Sequence, residues 1–183
     1  MTAFHASRAT VFEQVLGDAF MRLVAPVHTL HRVQGRARYV GQVSVVHAAR
    51  PVARLLARIT HLPRAMRDAP LVIEFDADPT RETWVRSFDG HRMRTQLHVH
   101  RGALREWLGP VRFTFALTVD VDGALLWRVA RVEAFGVLPL PAHWFDEVRC
   151  REFSDGDRYT FDVRAAMPLV GVLVHYSGWL QRG

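Results

Sequence analysis

The stretch from 111 to 132 constrains the fold more than any other part of the chain. Large apolar residues occupy every second position from 111 to 121, and this period of two is typical of a strand with one buried face and one wetter face. Asp122 and Gly123 follow, a pair that readily adopts the positive φ angles of a tight type I′ turn. The stretch therefore predicts a long β-hairpin on which the rest of a sheet is built.

Similar segments predict that most of the chain is strand. Asp89-Gly90 and Asp155-Gly156 mark two more turns, and Gly41 could mark a bulge in the first strand. We expect an α+β fold, in which a strongly curved antiparallel sheet of about eight to ten strands forms a half-barrel or open barrel. The other predicted strands are 35–46, 71–75, 82–88, 91–99, 105–108, 148–154, 157–166 and 169–179.

Two N-terminal helices are predicted to pack on this sheet and cover its mouth. The first begins at the capping-box pair Thr10 and Glu13, carries one apolar stripe and ends at Pro26, and residues 26–31 could add a short helical turn. The second is inserted at 50–62, where arginines at three positions four residues apart form a stripe beside the apolar one. We interpret the arginine stripe as a solvated face, with an anionic membrane or partner as the alternative.

Length and composition indicate what kind of protein this is. A chain of 183 residues with 49% apolar and 23% charged residues is expected to form a single domain over 1–183, with a helical segment at 1–34 and the sheet at 35–183. No apolar run approaches the roughly 20 residues of a transmembrane segment, and the first residues lack the pattern of a signal peptide. The expected location is therefore cytoplasmic.

The basic residues and the single cysteine further limit the kinds of partner and site that the protein can have. All 24 basic residues are arginine and the net charge is +6, which we attribute to the codon usage of a GC-rich genome. Nucleic acid is not the expected partner, because no binding motif, basic tail or interleaved exposed aromatic residues accompany the charge. Cys150 is alone, which excludes an internal disulfide framework and a cysteine-based zinc site.

The predicted turns determine which side chains share a face, because a two-residue turn sets the register of its hairpin. The turn at 89–90 places Glu82, Trp84 and Arg86 on one mostly apolar face.

The other two turns place further polar residues on apolar faces. The turn at 122–123 sets Arg128 opposite Leu117, on the most apolar face of the chain. The turn at 155–156 sets Glu152 opposite Tyr159.

Four charged side chains thus fall on faces that are predicted to be buried. Because a buried ion costs several kcal/mol even after relaxation, each must be paired or open to a wet cavity. One interpretation is internal Arg–Glu pairs within the sheet. Another is a polar floor under an apolar pocket, where an arginine binds the carboxylate or phosphate of an amphipathic ligand. A one-residue register error would instead turn the side chains to the other face. The candidate ligand-binding residues are Glu82, Trp84, Arg86, Arg128, Glu152 and Tyr159.

Catalytic and metal-binding motifs are absent from the sequence. His98 and His100 share one strand face and could bind a metal, but an exposed edge strand is the favoured interpretation. The serines lack a Gly-x-Ser-x-Gly elbow, and Cys150 is interpreted as a small core residue rather than a nucleophile. We therefore predict no metal, no cofactor and no catalytic residue.

Several short segments, in this order, resemble the bacterial domain-of-unknown-function 4166 family over nearly the whole chain. They are Leu30-His31, 35–37, 82–88, Glu106, Gly109-Pro110, 136–141, 161–163, 168–171 and 176–180. Members of this family can occur behind a Rossmann-type dehydrogenase-like domain, whereas no Gly-x-Gly-x-x-Gly follows a strand here. The resemblance implies no established activity and no functional residues.

Three functions remain open from the sequence. The leading hypothesis is non-enzymatic binding of an apolar or amphipathic small molecule, such as a lipid-like acid, in a cavity between sheet and helices. The second is a hydrolase or isomerase that uses Glu82 or Glu152 as its acid or base. The third is an interaction domain that serves a dehydrogenase-like protein partner.

Overall fold

The computed structural model describes residues 9–47, 51, 55, 58–60, 62–168 and 170–183. Three short N-terminal helical elements precede the strands: α1 (Val11–Leu16), a 3-10 helix (Gly17–Arg22) and α2 (Ala25–His31). The strands of the described residues are β1 (Gly35–His47), β2 (Met66–Asp78), β3 (Arg81–Phe88), β4 (His91–His100), β5 (Ala103–Leu108), β6 (Val111–Val119), β7 (Leu125–Ala134), β8 (Leu138–Leu140), β9 (Arg149–Asp155), β10 (Arg158–Met167) and β11 (Gly171–Arg182). A second 3-10 helix, Ala142–Phe145, lies between β8 and β9.

The predicted first helix is divided into pieces. Thr10 caps α1 as expected, because its hydroxyl accepts from Glu13 N at 3.3 Å and the Glu13 carboxylate accepts from Thr10 N at 2.7 Å. Gly17 then adopts a positive φ of 54°, which ends the α-helical geometry. Pro26 lies in the first turn of α2, where the N–H that it lacks would have no helical partner.

The sheet closes into a barrel. Ten strands form a ring in the order β6-β5-β4-β3-β2-β1-β11-β10-β9-β7, and the pairing of β6 with β7 joins its ends. The strongly curved antiparallel sheet is therefore confirmed, and it is closed rather than open. The additional strand β8 pairs with β7 and escapes prediction because Pro139 takes up one of its three positions. The prediction that 1–183 is one domain stays a prediction.

The N-terminal helices cover one end of the barrel. Phe12 of α1 is fully buried, and its ring centre lies 5.5 Å from that of Trp127. Val24, just before α2, donates a backbone hydrogen bond to the carbonyl of Gly123 at 3.0 Å, which ties the helices to the β6–β7 loop. The predicted helical cover is confirmed for α1 and α2, whereas most of the helix predicted at 50–62 lies outside the described residues.

The hairpin at 89–90 has the predicted register. Phe88 opposes His91 and Arg86 opposes Met93. Asp89 and Gly90 both adopt positive φ, at 45° and 85°, as a type I′ turn requires. Arg86 consequently points inward, as expected.

The hairpin around 155–156 differs from its predicted register by two residues. Asp155 pairs with Arg158, so the turn is 156–157 and Glu152 faces Phe161 rather than Tyr159. A shift of two leaves every side chain on its predicted face, because side chains alternate with period two. Glu152 and Tyr159 are therefore both buried, as predicted.

The central hairpin corrects the position of Arg128. The Asp120 carboxylate accepts two backbone hydrogen bonds within the loop, at 2.9 and 2.8 Å, and so stabilises a loop longer than the expected two residues. Leu117 then faces Trp127, one position away from the predicted partner. Trp127 points inward and Arg128 lies on the exposed outer face.

A β-bulge confines this error to the tip of the hairpin. The register shifts between Thr114 and Phe115, and beyond the bulge Phe113 opposes Val132 as predicted. Phe115 is buried and Phe113 is partly buried against the same core. The predicted apolar face of β6 is therefore an inner face of the barrel.

Gly41 allows β11 to approach β1 closely. A β carbon at this position would lie 1.8 Å from the carbonyl oxygen of Trp179, so a larger residue would have to displace the strand. The bulge expected at Gly41 lies between Val43 and Val45 instead.

Removal of the Phe115 side chain should test the assignment of the β6 inner face. We expect Phe115→Ala to lower the free energy of unfolding by about 3–5 kcal/mol, because a buried ring is lost and a void remains. Thr118→Ala on the exposed face of the same strand should change it by less than about 0.5 kcal/mol. Chemical denaturation measures both, and a loss below about 1 kcal/mol for Phe115→Ala would contradict the assignment.

Candidate functional site

The barrel encloses an apolar cavity of about 260 Å³. Most of its wall consists of aromatic and aliphatic side chains, which include Phe88, Phe113, Phe161, Val163 and Val174. They come from different strands around the ring, because the alternation sends every second side chain of each strand inward.

The cavity lies between two unlike ends of the barrel. Trp84 and Trp127 line it toward the end that α1 covers, which we call the closed end. At the opposite end lie the β3–β4 and β5–β6 turns, and we call this the open end. Leu62, Phe145 and Met167 line the cavity there. Among the described residues, α1 and α2 thus fill the closed end, and the cavity lies between them and the open end.

Arg86, Thr95 and Glu106 form a polar group in this apolar wall. They meet because β3, β4 and β5 are consecutive in the ring. Arg86 Nη1 donates a hydrogen bond to the Thr95 hydroxyl at 2.8 Å and lies 3.8 Å from Glu106 Oε1. Burial raises the pKa of Glu106, and the charge of Arg86 opposes that increase.

The charge of the Arg86 guanidinium acts across the cavity. Its central carbon lies 4.7 Å from the centre of the Trp84 ring, a cation–π contact. Burial raises the pKa values of Cys150, Tyr159 and Tyr176 on the far wall, and the charge of Arg86 opposes the increase in all three. One cation therefore acts on both sides of the cavity.

Glu152 is the centre of a second polar group, on the far wall. Its carboxylate is hydrogen bonded to Nε2 of His31 from α2, and it accepts from the Tyr159 hydroxyl. The Cys150 thiol lies 3.9 Å from its other oxygen. His31 is buried, and its Nδ1 has no hydrogen-bond partner among the described residues. This group links the helical cover of the closed end to the cavity wall.

The structure brings four of the six predicted site residues to the cavity: Trp84, Arg86, Glu152 and Tyr159. Glu82 is buried next to the cavity, where its carboxylate accepts a hydrogen bond from Trp84 Nε1 at 3.0 Å. Burial, the largest effect, raises the pKa of Glu82. Arg128 lies on the outer face of the barrel and does not line the cavity.

Residues that sequence reasoning missed complete both polar groups. Glu106 could have been found, since it stands between the apolar residues Leu104 and Leu108 on alternate positions of β5. Thr95 was placed opposite Trp84 by the predicted register but carried no signal of its own. His31 follows buried Leu30 at the end of α2, and no spacing in the sequence pairs it with Glu152.

The described residues give no sign of a metal centre. No group of three or more His, Cys, Asp or Glu side chains that could hold a metal ion occurs among them. His98 and His100 lie on β4, which is paired on both sides and is not the expected edge strand. Within the same part of the chain, no helix is long and apolar enough to cross a membrane.

Comparisons with known proteins identify a family and one distant structural neighbour. The sequence model of the family described as "Domain of unknown function (DUF4166)" matches residues 23–180. The structure titled "Crystal Structure of Rv2717c from M. tuberculosis" is 14% identical in sequence and covers 88% of this chain and 99% of its own, with a TM-score of 0.46. No curated protein matches the sequence.

Replacement of Glu82 should make the stability of the protein less dependent on pH. Burial raises the pKa of Glu82 above the ordinary value of 4.5, so the folded state holds this proton more tightly than the unfolded chain. The resulting stability is complete below the ordinary pKa and is lost as the pH rises through the raised pKa. As the pH rises above 4.5, Glu82→Gln should therefore lose less free energy of unfolding than the wild type.

Denaturation series across this pH range measure the effect. Glu74→Gln is the control, because Glu74 is exposed and is 3.6 Å from Arg92 on the outer face. If the free energy of unfolding of Glu82→Gln varied with pH as much as that of the wild type, the claim that burial raises the pKa of Glu82 would be wrong.

Proposed function

We propose that this chain, which belongs to the DUF4166 family, binds a small amphipathic acid inside its barrel and does not alter it chemically. The apolar body of the molecule would lie against the cavity wall, and its anionic head would contact Arg86.

The position of Arg86 is the single observation that carries the proposal. A guanidinium inside an apolar barrel is costly unless an acceptor compensates it. The Glu106 carboxylate lies 3.8 Å from it, which is beyond hydrogen-bonding distance. A ligand carboxylate could instead accept two parallel hydrogen bonds from the planar guanidinium, which is a favoured geometry for this pair.

The raised pKa of Glu106 supports an anionic ligand. A carboxyl whose pKa burial raises takes up a proton more readily than an exposed glutamate. Once protonated, Glu106 leaves the charge of Arg86 to a ligand anion and can itself donate a hydrogen bond. The Thr95 hydroxyl accepts from Arg86 and donates its own hydrogen to the Glu106 carboxyl, so it holds the two charged side chains side by side.

The size of the cavity limits the ligand. Its volume of about 260 Å³ is just below the range of about 300–1,000 Å³ that is usual for small-molecule sites. A medium-chain acid therefore suits it better than a long-chain lipid. The mostly apolar wall would take the chain, which contributes about 0.8 kcal/mol per buried methylene.

Acid–base catalysis is the second candidate function. Glu152 is a better candidate than Glu82, because Glu152 lines the cavity and is held by His31, whereas Glu82 is covered by Trp84. Such a hydrolase or isomerase would turn over a ligand of the same cavity. No observation on the described residues favours the dehydrogenase-like partner, which stays a prediction, as does the cytoplasmic location.

Loss of the Arg86 charge should weaken the binding of an acid specifically. We expect Arg86→Met to lower the affinity for decanoic acid about tenfold or more, since a hydrogen bond to a charged group is lost. Affinity for decanol, which has a similar chain and no charge, should change little. Isothermal titration calorimetry measures both ligands on both proteins.

Arg128→Met is the matched control for this experiment. It removes the same charge from the outer face of the barrel, so it should leave both affinities unchanged. Equal loss in the two variants would mean that only net charge matters. Failure of the wild type to bind decanoic acid and other acids of similar length would contradict the proposed function.

A further inference from the structure

The exposed apolar side chains are unevenly distributed over the barrel. Phe135 and Val137 are 73% and 81% exposed, and Leu138 and Trp144 are 56% and 41% exposed. All four belong to the segment that connects β7 to β9. Single exposed apolar residues are ordinary, whereas a group of them marks a contact surface.

The topology places this group at the open end. β7 runs from the closed end to the open end, so the 135–137 turn that follows it lies at the open end. Phe135 N donates a hydrogen bond at 2.7 Å to the carbonyl of Pro110 in the β5–β6 turn. Phe145, next to Trp144, lines the cavity. The exposed group therefore lies beside the mouth of the apolar cavity.

Phe135 also has an unfavourable backbone conformation. Its φ is 52°, in the left-handed region that bulky residues rarely adopt. This conformation coincides with a large apolar ring that lies mostly in solvent. Strained residues of this kind occur preferentially at functional sites.

Positive charge accompanies this apolar surface. The connection from β1 to β2 also lies at the open end, and its residue Leu62 lines the cavity. Residues 48–68 contain five arginines and one acid, Asp68. Three of them, Arg58, Arg64 and Arg67, are exposed. The acids elsewhere at the open end include Asp89 in the β3–β4 turn, Asp146 and Glu147. Glu147 contacts Arg149 and Arg164.

We propose that the open end docks on an anionic lipid membrane, with the segment 135–144 inserted into the interface and Arg58, Arg64 and Arg67 against the lipid head groups. This inference rests on the proposed function, because it names the bilayer as the source of the amphipathic ligand. Membrane-surface proteins combine these same features, apolar and aromatic side chains that enter the interface and cations that contact acidic lipids. The apolar mouth of the cavity would then face the acyl chains, and the ligand would reach the cavity without crossing water.

Sedimentation with lipid vesicles tests this docking. The wild type should bind vesicles of phosphatidylcholine and phosphatidylglycerol, and added salt or the omission of phosphatidylglycerol should weaken the binding. Phe135→Asn with Val137→Ser should reduce binding about tenfold or more, because apolar contact with the interface is lost. Asparagine tolerates the left-handed region, so this variant should fold at least as well as the wild type.

Replacement of arginines tests the electrostatic contribution to membrane docking. Arg64→Ser with Arg67→Ser should reduce binding to the anionic vesicles about 25-fold, since one basic residue near such a surface contributes about fivefold. Binding to pure phosphatidylcholine should not change.

The closed end provides matched controls. Met21 and Val121 are 75% and 100% exposed there, and Met21→Ser with Val121→Ser should bind vesicles like the wild type. Arg22→Ser with Arg36→Ser removes two exposed cations from the same end and should also have no effect. Equal losses at the two ends would overturn the proposal, as would a wild type that does not bind anionic vesicles.

Two further outcomes are decisive. If gel filtration shows a dimer that Phe135→Asn dissociates, and vesicle binding is absent, the open end is an interface between copies and the membrane proposal fails. Decanoic acid binding, measured without vesicles, is independent of docking. Intact ligand binding without vesicle binding overturns only the present inference, and the reverse result overturns only the proposed function.

Discussion

Closure of the sheet between β6 and β7 is the constraint on which the rest of the structure depends. The pairing joins the two ends of a ten-strand ring, so each strand of the ring has a partner on both sides. The interior of such a ring must then be filled by side chains or left to a ligand. Here α1 and α2 fill only the closed end, which leaves the apolar cavity toward the open end.

The same closure determines where the inward charges can be compensated. Glu152 is hydrogen bonded to His31 because the helices close the end of the ring beside β9. Arg86 lies nearer the open end, where it contacts the neutral Thr95 hydroxyl and the Trp84 ring and has a carboxylate at 3.8 Å. A structural ion pair would be expected to have closer, bidentate geometry. The incomplete compensation of Arg86 is why we favour a ligand over a purely structural role.

Much of the sheet was predictable because a period of two leaves a strong signal in the sequence. The Asp89-Gly90 turn correctly predicted the face on which Arg86 lies. The two-residue shift near Gly156 left Glu152 on its predicted face. Arg128 was misplaced because Asp120 stabilises a longer loop, which no propensity rule for Asp-Gly turns includes.

The rest of the site depends on contacts that are distant in sequence. Closure of the ring and the pairing of His31 with Glu152 join residues far apart in the chain. Local patterns in one sequence do not encode such pairs, although the alternation in β5 could have pointed to Glu106. The match to the family model confirmed the resemblance seen in the sequence. It did not identify any functional residue.

The orientation of a bound acid inside the barrel tests the central claim most directly. Isotope-filtered nuclear Overhauser spectra of the protein with decanoic acid would locate both ends of the ligand. The account predicts contacts from the methylene next to the carboxylate to Arg86 and Thr95, and from the terminal methyl to Phe145 and Met167. Contacts confined to the outer surface, or a chain that points with its methyl toward Arg86, would contradict it.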